Sequence, residues 1–177
     1  MAADPAHWTN IAAPAILMAV LALAVRQDLA SHKISNLLSF GALGAGLLLA
    51  AWAHGIGGLG KALAGAAIGL ACLMPLYLAR GMGAGDVKLM AGAGAFLGPF
   101  NAFIAAMLTL AAGAVLGIAF LAWRIVGLRN TSGAVASGPA LTRLGKERFP
   151  YAAAIAAGVV ATMWLRGLLK PLAGSLA

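Results

Sequence analysis

Acidic side chains are scarce. Only Asp4, Asp28, Asp86 and Glu147 occur in 177 residues, against twelve Lys or Arg. So few charges of either sign leave a soluble domain of this size without a wetted surface, whereas lipid requires none. A hydrophobic content of 63 % and a positive mean hydropathy point the same way. Cysteine is almost missing as well: Cys72 stands alone in an apolar run, which excludes an internal disulfide framework and a cysteine zinc cluster. The basic residues occur as ones and twos between apolar runs, so the net charge of +8 does not form the stripe or tail that a nucleic-acid partner needs. No Lys or Arg precedes Asn10, so a cleaved signal peptide is not expected, and the first apolar run reads as a retained span.

Five charge-free runs follow: Ile11–Val25, Leu37–Ala53, Ala62–Ala79, Leu89–Trp123 and Phe149–Leu165. Four are about one span long. Leu89–Trp123 would reach about 52 Å as a straight helix, well beyond a hydrocarbon core of roughly 30 Å. Gly98-Pro99 is the place for it to turn back, because glycine permits the reversal and proline lacks a donor that a first helical turn leaves free. The expected fold class is therefore an all-α polytopic membrane protein with a six-transmembrane-helix bundle, residues 1–177 forming a single membrane-embedded domain. The helix after Asp86 would be short, and Pro75 is a candidate kink in the third span.

In that scheme nine of the twelve basic residues lie in the turns Arg26–Asn36 and Arg80–Lys88 and the stretch Arg124–Arg148, with Lys61, Arg166 and Lys170 opposite. This bias sets the nine on the cytoplasmic side and both termini outside. Trp8, Trp52, Trp123 and Trp164 fall near the expected span ends, where amphipathic rings suit the interface. Gly65–Gly69, Gly94–Gly98 and Gly113–Gly117 have the small-xxx-small spacing that lets helices approach, without saying which ones do. Gly127–Gly145, rich in Ser, Thr, Gly and Arg, reads as a cytoplasmic surface loop able to meet a partner.

Two of the four acids lie at span boundaries. Asp4 sits in the polar N-terminal stretch, and Glu147 lies between Lys146 and Arg148, the setting of a screened surface ion pair. Asp28 follows the first span and Asp86 begins the fourth, both on the cytoplasmic boundary. A carboxylate at membrane depth is costly unless paired, hydrated or functional, so two on one side are a site hypothesis. The plainer readings are a partner for Arg26 or Lys33 in the case of Asp28 and a helix cap in the case of Asp86. Two adjoining carboxylates that share one proton suit metal-free peptide hydrolysis: one takes a proton from water, the other donates to the scissile carbonyl and then to the leaving amine. Which aspartate plays which part is left open. His7, His32 and His54 are spread over both faces, so they do not form a metal site, and no cofactor is expected. Ser31 and Ser35 near His32 lack the spacing of a nucleophilic triad, and Gly81–Gly85 lacks the Lys-Ser/Thr ending of a phosphate loop.

Gly83-Ala84-Gly85-Asp86-Val87-Lys88 resembles the Gly-x-Gly-Asp signature of intramembrane-type aspartyl proteases, in the form found in type IV prepilin leader peptidases. Asp28 followed by Lys33-Ile34-Ser35-Asn36 is similar to the stretch around that family's first aspartate, with Ser35 where proline is usual. Phe149-Pro150-Tyr151 resembles the lead-in to the family's last span. The resemblance implies an aspartic endopeptidase of the cell inner membrane. Asp28 and Asp86 would be catalytic, and Gly83, Gly85, Lys33 and Lys88 would bind substrate or shape the site, although both lysines also suit membrane anchoring. Partners would be prepilin and pseudopilin precursors with a basic leader and an apolar helix, membrane lipid, and pilus assembly machinery, with no nucleic acid. The single cysteine and the lack of a cytoplasmic insertion match the short peptidase-only form of tight-adherence (Flp-type) pilus systems, without N-methylation. The competing classes are a small transporter or channel with both aspartates on its ion path, which would alternate their access, and a non-catalytic assembly factor, which would survive their conversion to amides.

Overall fold

The computed structural model describes residues 5–31, 35–130 and 151–169. Within them the secondary structure is four helices with short turns beside them: α1 (Pro5–Ser31), α2 (Asn36–Leu78), α3 (Ala84–Asn130) and α4 (Tyr151–Leu165). Asp4, His32, Lys33, Glu147, Phe149, Pro150 and Lys170 lie outside the described residues.

The expected six-transmembrane-helix bundle is corrected by this arrangement. Among the described residues there are four helices, of which three contain segments long and apolar enough to cross a membrane: Ile11–Ser31, Asn36–Leu78 and Ala84–Ala119. The fourth, Tyr151–Leu165, has 15 residues. The physical reason lies in how the long runs are interrupted. At Gly55 (φ 60°, ψ −146°) and Gly98 (φ 74°, ψ 174°) a single glycine leaves helical geometry and the helix resumes on its far side, so no loop separates two elements. Both dihedral pairs lie in a region that other residues scarcely reach. Each long helix is thus bent into two arms. Pro75 stays within helical geometry, and its carbonyl accepts from the Ala79 amide at 2.9 Å. α3 also continues to Asn130, so the first residues of the surface loop expected over Gly127–Gly145 are helical, and the rest of that stretch lies outside the described residues.

Small residues position the arms. The Cβ that Gly46 lacks would fall 2.9 Å from the Cβ of Ala95, and that of Gly92 3.0 Å from the Cβ of Ala42, so α2 36–54 runs parallel to α3 84–97. On the other side Gly65 abuts Gly94, and a Cβ on Gly69 would stand 2.7 Å from the carbonyl oxygen of Met90, so α2 56–78 runs antiparallel to the same arm. Two of the three glycine motifs therefore face each other, which their spacing alone left undecided. In the third, Gly113 meets the ring of Tyr151, while Gly117 faces open space. α4 packs antiparallel to α3 beyond Gly98, where Gly158 comes so close to Thr109 that a Cβ would lie 2.8 Å from its Cα. Among the described residues the Thr109 hydroxyl is a buried side-chain oxygen without a hydrogen-bond partner.

Leu17, Leu21, Leu73, Leu89, Met90, Ile155, Val159 and Met163 form the buried core. Large apolar side chains also cover the outside, among them Leu48, Trp52, Ile56, Val115, Ile118 and Trp164. An exterior as apolar as the interior is what a lipid solvent selects, and the architecture is that of a multi-pass helical membrane protein.

Candidate active site

Pro14, Leu17, Leu21, Ala24 and Asp28 are successive buried positions of α1 at spacings of three and four, so Asp28 continues the stripe that faces the core. The turn expected from Arg26 is instead the last part of α1, which runs on to Ser31, where the Ser31 hydroxyl donates to the Gln27 carbonyl at 2.9 Å. Arg26, Gln27 and Leu29 suit helix as well as the apolar run before them, so an expected membrane boundary is not a helix end. Asp28 is 7 % exposed, and its Oδ2 accepts a hydrogen bond from the Ala152 amide in the first turn of α4 at 3.2 Å.

Asp86 is the third residue of α3 and 9 % exposed. Its Oδ2 accepts from the Gly83 amide at 3.1 Å, while the Asp86 amide donates to the Gly83 carbonyl at 3.2 Å. An acid at this position reaches back to the residue before the helix and satisfies a donor the helix leaves open. A Cβ on Gly83 would stand 3.2 Å from that carboxylate oxygen, so glycine keeps the approach to Asp86 clear. Gly85 is the half-buried second residue of α3.

The turn before Asp86 carries strain. α2 ends with the Gly81 amide bonded to the Leu76 carbonyl and the Arg80 amide to the Tyr77 carbonyl, both at 2.9 Å. This paired closure requires a left-handed residue, normally glycine, and here it is Arg80 at φ 59°. α4 ends with the same pair of bonds, from Leu168 to Met163 and from Gly167 to Trp164, but with glycine at φ 67°.

Lys88 Nζ donates to Asn36 Oδ1 at 3.1 Å and lies 5.1 Å from the centre of the Phe40 ring. It ties the start of α2 to the start of α3. Ser35 caps α2 by accepting from the Leu37 amide at 3.2 Å, and its own amide donates to Gln27 Oε1 at 3.1 Å. Its φ of −62° suits proline, the residue usual in the resembled family, although proline would forfeit the Gln27 bond. An open cavity of about 260 Å³ lies between α1 and α2, lined by Val20, Gln27, Ser35, Leu37, Leu38 and Gly41.

The structure therefore brings Asp28, Asp86 and Gly83 to one end of the bundle, leaves Lys88 bonded to Asn36, and adds two groups that sequence reasoning did not place in the site. One is the Ala152 amide, which has no side-chain signal. The other is Tyr151, whose phenol is close enough to Asp86 to feel its charge; its trace in the sequence is Phe149-Pro150-Tyr151 ahead of an apolar helix.

An all-α membrane architecture with two buried carboxylates at helix ends defines the broad class. A model of the type IV leader peptidase family matches residues 15–121, a stretch that contains both aspartates, and the chain belongs to that family. No curated protein and no solved structure matches it. Its class is thus that of a peptidase acting at a membrane.

Proposed function

We propose that this protein is the aspartic endopeptidase that removes the basic leader of type IV or Flp-type prepilins and pseudopilins at the cytoplasmic face of the inner membrane, the chain working as one membrane-embedded domain. The observation that carries this reading is that Asp28 and Asp86, two buried acids from different helices, lie at one end of the bundle, where Gln27 bonds Ser35, Lys88 bonds Asn36, and Asp28 accepts from the first turn of α4. One carboxylate takes a proton from the attacking water, and the other, protonated, hydrogen-bonds the scissile carbonyl and then passes its proton to the leaving amine. The substrate's apolar helix would lie in the membrane beside the glycine-rich arms, which lowers the entropic cost of bringing the scissile bond to the acids. The open cavity beside Gln27, next in sequence to Asp28, offers an apolar trough on that side. Gly83 gives the substrate backbone room beside Asp86. Lys33 and Lys88 would act at the polar boundary, Lys88 by fixing Asn36.

The deciding experiment is cleavage of a full-length precursor by the purified protein in detergent. Processing should persist with a zinc chelator present, because the proposed water is activated by carboxylates. Loss with chelator that added metal restores would sink the metal-free mechanism.

A further inference from the structure

We propose that the first turn of α4 is a positioning element of the active site, Ala152 holding Asp28 through its backbone amide and Tyr151 setting the surroundings of Asp86. The inference rests on the peptidase reading above and adds a third participant to it. Asp28 comes from α1 and Asp86 from α3, so a pair that exchanges one proton depends on something that fixes the two helices relative to each other. Catalytic groups tolerate misplacement of only fractions of an ångström before rate is lost.

α4 meets Asp28 and the helix that carries Asp86 at consecutive residues. The Ala152 amide points at Asp28 Oδ2 in a buried setting, and an amide of a first helical turn has no partner within its own helix. The bond therefore satisfies a donor and fixes a carboxylate together. Tyr151 precedes it and is half-buried, with its phenol within electrostatic reach of Asp86. Its ring lies over Gly113 of α3, where a Cβ would stand 2.9 Å from the ring carbon Cε1. Only glycine leaves the ring in that place. α4 is held to α3 further along at Thr109 and Gly158, so its first turn is set by packing on the helix that carries Asp86. A phenol hydroxyl both donates and accepts, which suits a group within electrostatic reach of a carboxylate that changes protonation. Tyr151 takes no share of the proton balance, which stays with the two acids, the water and the leaving amine.

Two variants of the full-length protein separate positioning from packing. Tyr151→Phe keeps the ring on Gly113 and removes the hydroxyl, whereas Gly113→Ala keeps the hydroxyl and displaces the ring. With a full-length prepilin in detergent, each should lower kcat by about 10-fold to 10²-fold with KM unchanged, the signature of an interaction needed in the transition state and not in substrate binding. In a Tyr151→Ala background, Gly113→Ala should have no further effect on kcat, since the group it displaces is gone. A Tyr151→Phe protein with the parent's kcat overturns the inference alone, as does a loss of kcat matched by a loss of folded protein in the size profile. A parent that cleaves no precursor overturns the peptidase reading and this inference with it.

Discussion

The two ends of the bundle are built differently. At one end lie Asp28, Asp86, the Arg80 turn, the Ser35 cap, the Lys88–Asn36 bond and the first turn of α4, so polar groups from every helix meet. At the other end the chain bends at Gly55 and Gly98, each without a neighbour within 4 Å of where a Cβ would stand, and Arg166 donates to Asn101 at 3.0 Å and lies over the Phe100 ring. The first end spends conformational freedom on placing carboxylates, and the second only bends the chain. Activity should therefore depend on one end and stability on both.

Asp28→Asn and Asp86→Asn should break the comparison most visibly. Each amide keeps its shape but neither takes up nor releases the proton, so cleavage should fall by about 10²–10⁴-fold while the detergent size profile stays that of the parent. Near-parental cleavage by either well-folded variant would remove the dyad, and Glu147→Gln should be close to neutral.

At the far end the effect should reverse. Gly55→Ala and Gly98→Ala place a Cβ on backbone that ordinary residues avoid, at a cost of order 1–3 kcal/mol, and thermal unfolding in detergent should begin lower. The rate per folded molecule should be kept. An unchanged melting profile would mean that the bends carry no strain.

Ser35→Ala tests a structural role at the aspartate end. Loss of the cap on α2 should cost about 1 kcal/mol in the same melt. A larger fall in cleavage than in folded protein would show that the cap also serves the site.

The smallest effect compares one motif at both ends. Arg80→Gly should raise stability by up to about 1 kcal/mol, whereas Gly167→Ala should lower it by a similar amount, because only glycine takes the left-handed position without a steric penalty. Melting temperatures that move the same way would show that a contact of the Arg80 side chain outweighs the backbone term.

Much of the aspartate end was legible in the sequence because it depends on rare residues. Four acids, two of them beside apolar runs and one within Gly-x-Gly-Asp, leave few choices, and the family match covers both. The helix count was not legible. Apolar runs give the amount of helix, but whether a glycine ends an element or bends it depends on dihedral angles at one residue, as at Gly55 and Gly98. The extent of α1 was missed because Arg26, Gln27 and Leu29 favour helix while leaving the apolar pattern. The resemblance gave Lys88 a part in binding substrate or shaping the site, and its bond to Asn36 and contact with Phe40 depend on packing between α2 and α3 that the motif does not encode. The share of α4 in the site was hidden because a backbone amide looks alike at every residue.

The contact of Gly158 with Thr109 gives α4 a datum. Ala152 lies six residues earlier, about 9 Å along the axis, so the contact gauges where the Ala152 amide that holds Asp28 stands. One residue inserted between 153 and 157 would move that amide by about 1.5 Å and swing it through about 100°. The helix is in effect a vernier whose reading is taken at its first turn, and the length of this segment is as much a requirement as the identity of its residues.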